Sequence, residues 1–240
     1  MKDHNRLIVA LDVNNQGRAL ELVDMLKDTA GMFKVGMELF YGSGSEVVER
    51  IKLKGCKVFL DLKLHDIPNT VARAARVLTG ISPDIINVHA SGGPEMMREA
   101  VLAVREEAQR LGITPPMVIA VTVLTSINRE IMNNLGTGGD VEQQVVRLAS
   151  LARNCGLDGV VASPMEVTPI RKACGEDFVI ITPGVRPEGA DIGDQKRVMT
   201  PSGAVSAGAT YVVVGRPITA SVSPLEAASK ILEQIKGCVK

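Results

Sequence analysis

The sequence predicts a (β/α)₈ barrel, and three observations predict it. Eight short β-rich apolar runs alternate with eight longer segments of helical period in 240 residues, about 30 residues per unit, the size of a βαβ repeat. Runs such as Leu7–Leu11 and Tyr211–Val214 are apolar almost throughout, as suits a parallel sheet buried on both faces. Polar residues then gather just beyond the ends of the runs, where barrels carry their function. An open doubly wound sheet has the same element order and is the alternative, because counting elements cannot reveal closure.

Taken in order, strand Leu7–Leu11 precedes a helix over Arg18–Leu26, with Ala19, Leu22, Val23 and Leu26 on one face. Strand Met32–Val35 leads to helix Glu46–Leu53, and strand Lys57–Leu62 to helix Thr70–Leu78. Ile85–His89 is followed by Glu95–Leu111, and Val118–Leu124 by Val141–Asn154. Gly159–Ala162 precedes Glu166–Ala173, Val179–Thr182 precedes Pro201–Ala207, and Tyr211–Val214 precedes Leu225–Ile235. Thr200-Pro201 and Ser223-Pro224 each set a capping hydroxyl before a proline at the first helical position. The longest irregular stretch, Pro183–Met199, is polar and glycine-containing, as expected of a functional lid. No linker, low-complexity segment or charge block marks a boundary, so residues 1–240 read as one barrel domain.

Composition narrows the class further. With 45% hydrophobic and 22% charged residues the chain can fill a sizeable core, which excludes intrinsic disorder. Lys and Arg number 27, as do Asp and Glu, which argues against a strongly basic nucleic-acid binder or a polybasic membrane protein. Two Tyr, four Phe and no Trp leave few platforms for stacked bases. No apolar run approaches the roughly 18 residues of a membrane span, and Leu7–Leu11 is too brief for a signal-peptide core. Cys56, Cys155, Cys174 and Cys238 are scattered without a C-x-x-C pair, so reduced thiols in the cytoplasm are expected.

The rim of the barrel is where the chemistry concentrates. The first strand runs into Asp12, the second contains Lys34, and the third ends in Asp61-Leu62-Lys63. Asn87 and His89 end the fourth, Thr122 lies on the fifth, and Thr125 and Ser126 follow it. Asp61 and Lys63 are two apart on a strand and therefore share a face. Asp66 completes Asp-x-Lys-x-x-Asp, and Lys34 enters from the neighbouring strand, giving two lysines and up to three carboxylates in one cavity. An isolated D-x-K pair reads more readily as a structural ion-pair ring. With Lys34 and the phosphate loops added, a proton-transfer site with pKa values pushed in opposing directions is the stronger reading. Those loops are Pro183-Gly184-Val185-Arg186 and Gly215-Arg216, after strands seven and eight, where barrels bind phosphate through backbone N–H groups and a cation.

Other chemistries lack their signatures. His4, His65 and His89 form no H-x-H or H-E-x-x-H pattern, and no nucleophile elbow, Walker loop or complete dinucleotide fingerprint is present. Met96-Met97 reads as core packing.

Val9-Ala10-Leu11-Asp12, Lys34-Val35-Gly36, the ten residues Asp61–Thr70, Asn87-Val88-His89-Ala90-Ser91-Gly92-Gly93, Thr122–Ser126, Pro183–Pro187 and Val214–Thr219 occur in that order. Together they resemble the bacterial-type orotidine 5′-phosphate decarboxylases, from about Leu7 to Ile235. The resemblance implies conversion of orotidine 5′-monophosphate to uridine 5′-monophosphate and carbon dioxide, the last step of de novo UMP synthesis, with neither metal nor organic cofactor. It implies Lys63 as proton donor to C6, Asp61 beside the substrate carboxylate, and Lys34 and Asp66 completing the catalytic charge network. Asp66 would come from the partner subunit of an obligate homodimer with a shared active site. Asp12 and Lys34 would hold ribose hydroxyls, Thr70 would reach across the interface, and Thr125 or Ser126 would meet the base. Gln195 would bridge base and phosphate, with Arg186, Gly215 and Arg216 around the phosphate; Ile67 and Pro183 complete the implied binding set. Two rivals remain: a magnesium-dependent hexulose-phosphate synthase-like enzyme, which shares D-x-K-x-x-D, and a non-catalytic nucleotide-phosphate sensor.

Overall fold

A computed structural model describes residues 6–137, 139–186 and 199–236. Its eight strands are β1 (Leu7–Ala10), β2 (Met32–Gly36), β3 (Val58–Leu64), β4 (Ile85–His89), β5 (Met117–Val121), β6 (Gly159–Val161), β7 (Val179–Thr182) and β8 (Tyr211–Val214). All pair in parallel and in sequence order, and β8 returns to β1 through the register Ile8↔Val213, so the sheet is closed. Closure removes the open-sheet alternative.

The eight expected helices are present, six of them with shifted ends: α1 (Gln16–Leu26), α3 (Glu46–Leu53), α4 (Pro68–Gly80), α5 (Gly93–Leu111), α7 (Val141–Asn154), α8 (Val167–Cys174), α9 (Pro201–Ser206) and α11 (Pro224–Lys236). Three more were not expected: α2 (Met37–Ser43), α6 (Arg129–Asn134) and α10 (Arg216–Thr219). Helices of four to seven residues complete too few turns to show an apolar period. Caps set several starts. Asn15 accepts from the Arg18 N–H, Asn128 from Ile131, and Thr200 from Gly203, each through its side-chain oxygen.

Two apolar layers follow from the two-residue period of the strands. Outward residues such as Val9, Leu60, Ile86 and Val160 pack against helix residues including Leu22, Val48, Ala75 and Val145. Inward residues Ile8, Met32, Phe59, Ile85, Ile119, Ile181 and Val213 fill the barrel itself, and burial of each large side chain contributes about 2 kcal/mol. One step further along three adjacent strands, the inward positions are Lys34, Asp61 and Asn87. The functional rim is thus the continuation of the core pattern, with polar residues replacing apolar ones.

Met96 and Met97 are fully buried in the outer layer. Cys56, Cys155 and Cys174 are free, and Cys238 lies outside the described residues. Among the described residues, no helix is long and apolar enough to cross a membrane.

Two strand ends depart from expectation by more than one residue. β5 stops at Val121 instead of Leu124, because Thr122 gives both its N–H and its hydroxyl to the Val161 carbonyl before the chain turns at Leu124–Ile127. β3 runs on to Leu64, but its pairing with β4 jumps from Leu60↔Ile86 to Leu64↔Val88. Lys63, inside that break, adopts φ +55°.

Candidate active site

The ends of β1, β2 and β3 carry an unbroken chain of alternating charge. Lys34 Nζ lies 3.0 Å from Asp12 Oδ1 and 3.3 Å from Asp61 Oδ2, and Lys63 Nζ lies 2.7 Å from Asp61 Oδ1. Asn87 Nδ2 adds a hydrogen bond to Asp61 Oδ1 at 2.7 Å. The backbone leaves little spare room. A Cβ on Gly36 would stand 3.1 Å from Lys34 Nζ, and one on Gly215 would stand 3.2 Å from Asp12 Oδ2. A larger residue at either place would press on the charge chain.

Asp61 and Lys63 meet, but not for the reason that strand alternation supplies. Lys63 sits in the left-handed region within the register break, where a non-glycine residue costs on the order of 1–2 kcal/mol. Its side chain reaches the Asp61 carboxylate from that irregular backbone.

Each buried member is held in its charged form. Burial by itself would push the Lys34 ammonium down, but Asp61 and Asp12 overcome it and hold its pKa above the ordinary lysine value. Burial pushes the Asp61 carboxyl up, but Lys34 and Lys63, with hydrogen bonds from Lys63 and Asn87, hold it below the ordinary range. The directions are opposed, as expected for such an array, and both keep the pair ionised.

These directions set a pH dependence. Asp61 ionisation stabilises the fold above the unfolded aspartate pKa, and that contribution is lost as pH falls through the lower folded value. Lys34 protonation stabilises below the unfolded lysine pKa and is lost as pH rises through the raised folded value. Lys34→Met is expected to cost about 3 kcal/mol at neutral pH and to shrink the alkaline decline of Tm, as measured by calorimetry across pH. An unchanged Tm at neutral pH would mean that the pair adds nothing net to stability.

Lys34, Asp61 and Lys63 form one wall of a cavity of about 180 Å³. Phe59, Val121, Val161 and Val213 supply an apolar floor, and Thr125 and Pro183 stand at its edge. Low polarity beneath the charges strengthens their field at a bound group. Such a site can stabilise a carbanion beside Lys63 Nζ and then deliver a proton to it. The floor residues were not singled out in the sequence, although the inward strand period that identifies the core also leads to them.

The other expected residues separate into groups. Thr125 lines the cavity, whereas Ser126 is exposed and does not. Asp66, Ile67 and Thr70 are exposed on the rim, and Asp66 Oδ1 accepts the Ile67 N–H at 2.7 Å. Asp66 does not join its own chain's cavity, a correction to the third carboxylate expected there, since the loop after β3 carries it outward. Arg186 is buried, its Nη1 donating to the Val185 carbonyl, and Val185 pairs with Met199 in an isolated parallel bridge. Gly215 and the exposed Arg216 begin α10 at the end of β8. Gln195 lies outside the described residues, as does most of the expected lid. The His65 and His89 rings stand 5.1 Å apart beside a separate cavity of about 280 Å³; burial first, then His65 and Lys63, lower the His89 pKa.

Comparison with known proteins shows the family and the fold. The family model described as "Orotidine 5'-phosphate decarboxylase / HUMPS family" matches residues 5–231. The orotidine 5′-phosphate decarboxylase of Moorella thermoacetica is 54% identical over 237 residues, covering 98% of this chain and 94% of that protein. That of Heliobacterium modesticaldum is 51% identical over 236 residues, covering 98% and 97%. The crystal structure of the orotidine 5′-phosphate decarboxylase from Lactobacillus acidophilus superposes with a TM-score of 0.83 at 37% identity, covering 95% of this chain and 98% of that one. A match that spans nearly the whole barrel, with relatives about half identical, places the chain in the orotidine 5′-phosphate decarboxylase / HUMPS family.

Proposed function

We propose that the chain decarboxylates orotidine 5′-monophosphate to uridine 5′-monophosphate and carbon dioxide, closing de novo UMP synthesis in the cytoplasm. The observation that carries this is the Asp12–Lys34–Asp61–Lys63 charge chain, whose last three members wall an apolar-floored cavity, in a relative of proteins that bear this activity's name. Lys63 is the proton donor. As carbon dioxide leaves C6, electron density collects where the ammonium already stands, so little reorganisation is needed. Lys34 fixes Asp61, and Asp61 faces the substrate carboxylate. Two carboxylates about 4 Å apart repel by roughly 4 kcal/mol at an effective dielectric of 20, and the repulsion vanishes as neutral carbon dioxide departs. That push assists only if distant contacts hold the substrate in place. Arg186, Gly215 and Arg216 are the phosphate anchor, together with Gln195; Asp12 and Lys34 take the ribose, and Thr125 and Pro183 the base. A homodimer brings Asp66, Ile67 and Thr70 of the partner subunit to complete the site.

Loss of orotidine monophosphate absorbance with EDTA present tests the reading directly. Activity abolished by the chelator would favour a magnesium-dependent sugar-phosphate enzyme. UMP binding without turnover would favour a sensor.

The phosphate anchor has its own test. Arg216→Ala is expected to lower kcat/KM for orotidine monophosphate by about 3 kcal/mol, or roughly 100-fold, through lost charge-assisted bonds. Residual decarboxylation of orotidine, which has no phosphate, should barely change. Equal losses for both substrates would place Arg216 in folding instead.

A further inference from the structure

The pairing of β3 with β4 skips from Leu60↔Ile86 to Leu64↔Val88, so three residues of β3, Asp61, Leu62 and Lys63, bulge opposite the single residue Asn87. Asn87 is 1% exposed and points inward with Ile85 of the same strand. Its two amide ends are used differently. Oδ1 accepts the Lys63 backbone N–H at 2.7 Å, and Nδ2 donates to Asp61 Oδ1 at 2.7 Å. The same Asp61 oxygen takes the Lys63 ammonium at 2.7 Å. A bulge residue has lost its ladder partner, and here one side chain replaces it while also orienting the carboxylate that holds the lysine head.

We infer that Asn87 is a positioning residue: it locks Lys63 in its left-handed backbone conformation and aims the Asp61 carboxylate, so that the Lys63 ammonium is held where the carbanion forms. This deepens the proposed decarboxylation and rests on it. Asn87 is not among the residues that line the cavity, so it acts through Asp61 and Lys63. Only an amide, or a neutral carboxyl, offers an acceptor and a donor with this spacing. The lock is therefore specific to the chemistry of the side chain and not merely to its volume.

Two variants separate positioning from packing. Asn87→Leu keeps the bulk but removes both hydrogen bonds. It is expected to lower kcat about 100-fold, since a misplacement of about 1 Å suffices for that, while the Kd of UMP stays within about threefold of wild type. Asn87→Asp keeps the acceptor for Lys63 but turns an oxygen toward Asp61. The charges facing it are Lys34 from β2 and Asp61 and Lys63 from β3, with His65 and His89 beside them. Two carboxyls at this spacing share a proton, so acid restores the donor and with it the original bonding pattern. The ratio of variant to wild-type kcat is expected to rise at least about tenfold between about pH 8 and pH 5.

A readout independent of activity accompanies them. Exchange of the Lys63 amide proton, followed by NMR on ¹⁵N-lysine protein, should quicken at least about tenfold in Asn87→Leu but not in Asn87→Asp. If wild type leaves orotidine monophosphate unchanged, the decarboxylase reading fails, and amide exchange still reports on the lock. If wild type is active, any of three results overturns the inference: Asn87→Leu within threefold of wild-type kcat, UMP affinity falling in step with kcat, or a pH-independent Asn87→Asp ratio. Unfolding of both variants overturns it in favour of a purely structural asparagine.

Discussion

Lys63→Ala is expected to lower turnover of orotidine monophosphate by at least about 10⁴-fold, combining the usual contributions of a general acid and of an oriented charge. UMP affinity should survive, because UMP lacks the departing carboxylate and is held mainly through phosphate and ribose. The fold should survive as well. Without Lys63, Asp61 still has Lys34 at 3.3 Å and Asn87 at 2.7 Å, so no buried carboxylate is left unpaired. Single-turnover kinetics and titration calorimetry with UMP read the two quantities separately. Turnover within tenfold of wild type would eliminate Lys63 as the proton donor.

Mixing two inactive variants should restore activity if the site is shared. Asp66 is exposed and is not among the residues that line its own chain's cavity, so in the proposed mechanism its part in the charge network depends on a second subunit. In a two-fold dimer the Lys63→Ala and Asp66→Ala homodimers are each defective at both sites. A mixed dimer gathers both defects in one site and neither in the other. Random pairing makes about half of the dimers mixed, so about one quarter of all sites should be intact. Co-expression or co-refolding is needed, because exchange requires dissociation. Confirmed heterodimers with no activity above their parents would show that Asp66 acts within its own chain and would end the shared-site mechanism.

Much of the fold was legible because its signals are local. Ile85–His89, Val179–Thr182 and Tyr211–Val214 have the bounds that their apolar β-rich character predicts, and Glu46–Leu53 and Val141–Asn154 do so for helices. The same period led to Lys34 and Asp61, since a polar residue on the inward face of a barrel strand must lie at the open end or be paired. The short helices α2, α6 and α10 escaped because so few residues cannot establish a period. Asn87 was visible as a strand-ending polar residue, but its role was not, because its partners lie 24 and 26 positions away on another strand.

By itself, then, the sequence determined the order of strands and helices, the polar rim and the motifs that carry the family resemblance. Side-chain period and the sterics of single residues act within a few positions, and a linear reading captures them. Tertiary structure alone decided the rest: closure of β8 onto β1, the ion pair of Lys34 with Asp61, the outward placement of Asp66, and the break that turns Lys63 left-handed. Each depends on the register between strands distant in the chain. Register is the sum of all eight pairings around the barrel, so no local segment encodes it.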